Sequence, residues 1–225
     1  MAHQEQLNFI RTASQSLTKD YSNRKILEIG SFDVNGSIRQ FFEKSTYVGV
    51  DLTEGPGVDV VCEGNKLDHP DHTYDVTLSC ECFEHNPHWA DTFLNMYRMT
   101  KPGGIVVFTC ATTGRPEHGT TRTSPAVSPG SQSIGWDYYQ NLTGADFEKS
   151  FELGELFESH FFLSNTSSFD LYFVGLKRGT PKVFDVDVMS LKERCIETQD
   201  RFERRKKREK FTPKILRPLF RRLLD

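Results

Sequence analysis

Apolar positions along the chain change their period several times, and each change marks an element. From residue 24 onward, short runs rich in β-branched and aromatic residues alternate with stretches of helical spacing, the order expected of a parallel sheet with crossover helices. KILEIG predicts the first strand, and beyond the polar loop that follows it Ile38, Phe41 and Phe42 fall at helical spacing, with Asn35 and Ser37 as candidate caps. YVGVDL (47–52) and VDVVC (58–62) predict two more strands, both too apolar for a half-exposed sheet. YDVTLSC (74–80) predicts a fourth, and Trp89, Phe93, Met96 and Tyr97 mark one face of the next helix. KPGG at 101–104 reads as a turn, IVVFTC (105–110) as a fifth strand, and a short helix near 144–157 precedes two strands near 159–164 and 169–176.

The pattern breaks twice. Residues 111–142 hold three prolines, four glycines and many hydroxyls, and a loop of that length in a compact domain is usually functional or disordered. Near residue 180 the character shifts again: Val188, Cys195 and Phe202 recur at intervals of seven with Leu191 between them, predicting a helix with a narrow apolar stripe. After Pro213, Ile215, Leu216, Leu219, Phe220, Leu223 and Leu224 oppose Arg217, Arg221 and Arg222, with Pro218 interrupting the segment. The expected division is therefore a domain over 1–180 and a basic, amphipathic extension over 181–225.

Charge sharpens that division. The net charge of −3 hides thirteen Lys and Arg against six Asp and Glu in residues 189–225, which leaves −10 on the rest. Such a tail suits an anionic membrane surface, or a helix packed on the domain or on a second copy of the chain in a homodimer. With an acidic domain in front of it, nucleic acid is not an expected partner. The five cysteines show no paired metal-ligand spacing and read as reduced thiols. No apolar run reaches the length of a membrane span, and MAHQEQLNFI lacks the basic-then-apolar order of a secretory signal, so the expected location is the cytoplasm, peripheral at the inner face of the membrane if the tail binds there.

The most informative stretch is ILEIGSFDVNGS (26–37), where a strand carrying Glu28 reaches Gly30 and a loop of small polar residues that includes Ser31. The first strand-to-helix loop of an open α/β sheet lies where ligands bind, and glycine there lets a ligand approach the backbone. A pyrophosphate would call for the full G-x-G-x-x-G pattern, which is absent, and Glu28 would repel it. A cationic ligand reverses the sign. ILEIGS, the acid ending YVGVD, YDVTLSCECFEH and KPGG resemble, in order and spacing, class I S-adenosylmethionine-dependent methyltransferases with a type 11-like methyltransferase domain, over about residues 24–176. The resemblance implies an α/β fold: a Rossmann-like seven-stranded, mostly parallel sheet with helices on both faces, here followed by a C-terminal helical basic tail. It also implies S-adenosyl-L-methionine as cofactor, with Glu28 and Gly30 near its methionine end, Asp51 on the ribose hydroxyls, Leu52 against the adenine, Glu63 on the adenine amino group, Gly64 beside the ring and Cys80 lining the pocket. The first loop departs from the family's glycine pattern at SFDVNGS.

For the methyl acceptor, RPEHGTTRTSP (115–125) follows the fifth strand on the ligand-binding edge and offers His118 as general base, with Glu117 and Arg122 nearby. Arg122 can grip an anionic acceptor or simply pair with Glu117. His85, which in the family often follows the fourth strand, lines the pocket, and Tyr138 and Tyr139 can stack on a ring or pin the loop. No dense carboxylate-histidine cluster is visible, so no metal is expected. The polar, hydroxyl-rich loop favours a small polar acceptor, and O-methylation of a sugar or glycan-pathway intermediate is the expected reaction. An NAD-dependent oxidoreductase and a noncatalytic, membrane-associated nucleoside-binding module are the alternatives.

Overall fold

The computed structural model describes residues 3–211. Helix α1 (Gln4–Leu17) comes first. Its Phe9, Ile10, Ala13 and Leu17 are buried at helical spacing, so it is held by one packed face. Strand β1 (Lys25–Ile29) runs into the loop of small residues, and a single 3-10 turn, Ile38–Phe41, stands where the sequence predicts a crossover helix. Residues 38–45 are all that separate this turn's start from β2 (Thr46–Asp51), too few for a packed helix. Helix α1 fills the face a first crossover helix would cover, with Phe9, Ile10 and Leu17 in the same core as Ile38 and Phe42. Ser37 caps the turn as expected, its hydroxyl accepting from Arg39 N–H.

Strand β3 is only Val60–Val61, and β4 (Tyr74–Cys80) is buried over most of its length. Helix α2 (Trp89–Met99) buries Phe93, Met96 and Met99, while Trp89 and Tyr97 flank that stripe. Strand β5 (Thr100–Ala111) begins earlier than predicted: KPGG does not turn the chain but lies inside the strand, with Gly103 at φ +69 and a register shift opposite Tyr74 and Val76. A bulge thus absorbs the residues that looked like a turn. Next come α3 (Pro129–Ser133), inside the long loop, then α4 (Gly144–Ser150) and α5 (Leu153–Leu156), which split the predicted helix. Strands β6 (Phe157–Asn165) and β7 (Asp170–Lys177) precede α6 (Val188–Phe211).

The seven strands lie in the order β3-β2-β1-β4-β5-β7-β6, with only β7 running antiparallel to its neighbours. The turn of strand order at β1 and β4 opens a crevice at the carboxyl ends of the parallel strands. One sheet face packs under α1 and α6, the other under α2 and α4. On the second face Phe93, Phe108, Phe147, Phe157 and Phe173 interlock, Phe108 and Phe173 stacked at 5.0 Å. Burying each such ring stabilises the fold by roughly 2 to 3 kcal/mol. Val188, Leu191 and Cys195 of α6 join the first core, so the start of the predicted extension is packed on the domain. The expected amphipathic segment beyond Pro213 lies outside the described residues. All five cysteines are free thiols. Among the described residues, no helix is long and apolar enough to cross a membrane.

Candidate active site

The carboxyl ends of β1, β2 and β4 open onto a cavity of about 680 Å³, its open mouth included. Its floor is the loop leaving β1. Gly30 sits at φ +83, and a Cβ there would stand 2.6 Å from that of Cys82, so no side chain fits. Glu28 is 5% exposed, and its Oε2 accepts a hydrogen bond from the Tyr47 hydroxyl at 2.7 Å. Burial pushes this carboxyl up to about 7, against the opposing pull of that hydrogen bond. The acid read from sequence as a fixed negative charge is therefore shared between two protonation states near neutral pH, and a cationic ligand would return it to the ionised form.

Asp51 ends β2 and holds the loop in place, Oδ2 accepting from Phe32 N–H at 3.0 Å and Oδ1 from Leu52 N–H at 2.7 Å. The long loop closes over it: a Cβ on Gly130 would come 2.4 Å from Oδ1. Val127, Ser128, Pro129, Gly130 and Ser131 form this cover. Glu28, Gly30, Ser31, Asp51, Cys80 and His85 line the cavity together. Leu52, Glu63 and Gly64 are not among its lining residues. Glu63 is drawn to Lys66, 2.6 Å away, because the 3-10 turn between them brings the pair into reach. Gly64 is pressed against Ile29 and Thr92, where its missing Cβ is a packing requirement.

Four buried polar atoms on the cavity wall, Gln6 Oε1, Ser31 Oγ, Glu81 Oε2 and His85 Nδ1, have no hydrogen-bond partner. Such atoms are costly to bury and suit a site that expects a polar ligand. Gln6 and Glu81 are additions to the sequence-based set. Gln6 arrives on α1, whose apolar spacing was legible at Phe9, Ile10, Ala13 and Leu17. Glu81 stands in YDVTLSCECFEH itself and is held at φ +51, a left-handed conformation that a non-glycine residue adopts only under strain.

The wall behind His85 is built by the loop after β5. His85, His118 and Tyr139 meet edge to face, the two imidazole centroids 4.9 Å apart and Tyr139 at 5.5 and 5.0 Å from them. Burial pushes His85 down to about 3, helped by the His118 charge, and burial also lowers His118, so both rings are neutral. Glu84, fully buried next to them, is raised by desolvation and by the charge of Glu81. The sequence, in which a stretch of other residues separates His118 from the rest, showed no carboxylate-histidine cluster; the fold brings Glu84, His85 and His118 within 4.8 Å of one another. Arg122 stays outside: its side chain is 61% exposed and pairs with Glu117 and Asp137. Tyr139 donates to the Pro116 carbonyl and to Asn141, pinning the loop, and Tyr138 donates to Gln140.

Residues 27–108 match the family model described as a methyltransferase domain. No curated protein matches the sequence. Among solved structures, the YcgJ protein from Bacillus subtilis is similar at a TM-score of 0.53 and 12% identity, over 79% of this chain and 100% of that one. A Burkholderia thailandensis 1,6-didemethyltoxoflavin-N1-methyltransferase, solved with S-adenosylhomocysteine, gives 0.51 at 16% identity, over 76% of this chain and 79% of that one. Phosphoethanolamine N-methyltransferase 2 from Haemonchus contortus gives 0.52 at 14%, over 76% of this chain and 52% of that one. These similarities establish the fold. Over residues 27–108 the chain is similar to methyltransferase domains, and the solved structures that share its fold include methyltransferases bound to S-adenosylhomocysteine.

Proposed function

We propose that the protein transfers a methyl group to an oxygen of a small polar acceptor, such as a sugar or an intermediate of glycan assembly. The observation that carries this reading is the polar cover: Ser128 and Ser131 stand on the cavity opposite Glu28 and Asp51, beside the wall of His85, His118 and Tyr139. In it, Glu28, Gly30, Ser31 and Cys80 hold the methionine end of the cofactor and Asp51 its ribose. When bound, the cofactor supplies an electrophilic methyl carbon on a sulfonium. The chain's own residues have the remaining work of aligning the acceptor and relieving its hydroxyl of a proton. His118, neutral and with its buried Nε2 unpartnered behind His85, is the residue this reading assigns to that proton. Cytoplasmic placement belongs to the same reading, with exposed basic residues of α6 such as Arg204 and Lys207 available to anionic lipid.

The test is incubation with isotope-labelled S-adenosylmethionine and a panel of nucleotide sugars, free sugars and extracted glycans, each followed by mass. One acceptor gaining a single methyl group on oxygen is the expected result. Label appearing instead on nitrogen or carbon of another acceptor class would overturn the O-methylation reading and leave the cofactor assignment standing.

A further inference from the structure

The cluster beside the cavity is more than a pair of ring contacts. Glu84 and His85 lie on the 3-10 turn Phe83–His85 after β4, and His118 lies on the loop after β5. Neither carboxylate oxygen of Glu84 has a hydrogen-bond partner, and the same is true of His85 Nδ1 and His118 Nε2, all four atoms being buried. A fold that only needed to fill this space would have closed it with apolar side chains or with donors.

Both rings are set up as lone-pair donors. His118 Nδ1 is 3.0 Å from the Pro116 carbonyl, which can only accept, so that nitrogen carries the proton and Nε2 is left with its lone pair. On His85, Nδ1 is the buried nitrogen without a partner. A backbone carbonyl behind an imidazole fixes its tautomer and aim, the usual support of a metal-ligating histidine. Gly119 makes the approach possible, since at φ +68 it carries no Cβ, and one built there would lie 2.7 Å from His85 Cε1.

We infer that Glu84, His85 and His118 form a binding site for one divalent transition-metal ion, with open coordination positions that accept oxygen atoms of the methyl acceptor. Two imidazoles and one carboxylate favour a transition metal over magnesium or calcium, which prefer all-oxygen sites, and three protein ligands leave room for more. Glu84, which has no counter-charge of its own, supplies the negative charge such an ion requires. An acceptor hydroxyl bound to the ion releases its proton to water more readily, and its oxygen then bonds the methyl carbon as the sulfur keeps the electron pair of the breaking bond. That step rests on the O-methylation reading, and in it His118 acts as an ion ligand instead of a proton acceptor. The ion site itself does not depend on the acceptor.

The test uses the tag-free, full-length chain stripped with chelator and titrated with Co²⁺ followed by visible absorption, and with Mn²⁺ followed by electron paramagnetic resonance. Saturable uptake of one ion per chain is expected, with affinity at least tenfold weaker in Glu84→Gln and in His118→Ala and with S-adenosylhomocysteine binding unchanged in both. Glu84→Gln preserves the buried shape, and His118 sits on a loop, so unfolding midpoints close to the parent's accompany the loss. No saturable uptake by the parent chain, or equal affinity in both variants, would overturn the site. Neither readout involves methyl transfer, so failure of the ion site and failure of the sugar reading are told apart.

Discussion

Two groups of buried titratable side chains stand side by side at the carboxyl ends of β4 and β5, and they are finished to different degrees. In the first, His3 Nε2 is 3.0 Å from Asp170 Oδ2, Arg115 Nη1 is 3.1 Å from Asp170 Oδ1, Thr109 donates to Glu81 at 2.9 Å, and Tyr172 and Ser168 donate to Asp170. Every charge there meets an opposite one. In the second, Glu84, His85 and His118 meet nothing of opposite sign and leave four atoms without partners. The first group joins the N-terminus of α1 to the sheet and to the loop after β5; it is a structural clasp. The first group also leaves His3 Nε2 and Glu81 Oε2 outside hydrogen-bond geometry, but each faces an opposite charge; the second is buried without any such counter-charge, which is the condition of a site waiting for a ligand.

Substitutions can break this contrast. The largest effect is expected for Asp170→Ala, which strands His3 and Arg115 without their buried partner: unfolding in urea should show a loss of roughly 3 to 5 kcal/mol. His3 comes next. Burial works against its charge, yet the hydrogen bonds and charges of Asp170 and Glu81 outweigh it and raise the ring to about 10. A histidine raised in the folded state stabilises fully below its unfolded value near 6.5 and loses that contribution as pH climbs through about 10. Stability measured from pH 6 to 10 should therefore fall in the parent chain and stay flatter in His3→Ala, which should already be weaker by about 2 kcal/mol at pH 7.

Glu28 moves the other way. Its folded value near 7 lies above the ordinary 4.5, so it lowers stability as pH rises from about 4.5 to 7 and has no further effect above that. A positively charged ligand should bind more tightly over the same rise. Calorimetric titration with S-adenosylhomocysteine, which keeps the amino group, should show affinity growing from pH 6 to 8 and a drop of about tenfold, or ~1.4 kcal/mol, in Glu28→Gln at pH 8. The smallest effect is expected for Glu84→Gln, equal in burial to Asp170 but lacking partners: its unfolding free energy should stay within about 1 kcal/mol of the parent's. A loss matching that of Asp170→Ala would mean that Glu84 is part of the clasp.

Much of the fold was readable because its cause is local. Periodicity over a few residues placed β1, β2, β4, β6, β7, α2 and the start of α6, and each buries the side chains its spacing put on one face. Where a local signal had a tertiary competitor, the competitor won. KPGG reads as a turn, but pairing of the flanking Thr100 and Ile105 with β4 carries it through β5 as a bulge. Ile38, Phe41 and Phe42 read as a helix, but the short span to β2 and the packing of α1 leave one 3-10 turn. In the site, Glu28, Gly30, Ser31, Asp51, Cys80 and His85 were legible as strand ends around one loop. Glu63, assigned through the family resemblance, pairs with Lys66 and is not among the residues lining the cavity.

The sequence by itself determined the succession of strands from residue 24 onward, the loop that floors the cavity, and an acid at the end of each of the first two strands, because these follow from spacing and from the backbone needs of Gly30. Only the tertiary structure decided which charges would be neutralised. Glu81 and Glu84 stand three residues apart in one stretch of chain. One is met by His3 and Arg115, carried in from opposite directions, and the other by two imidazoles with free lone pairs. Long-range packing assigns such partners, and a buried carboxylate's state depends on what reaches it in space and not on its neighbours in the chain.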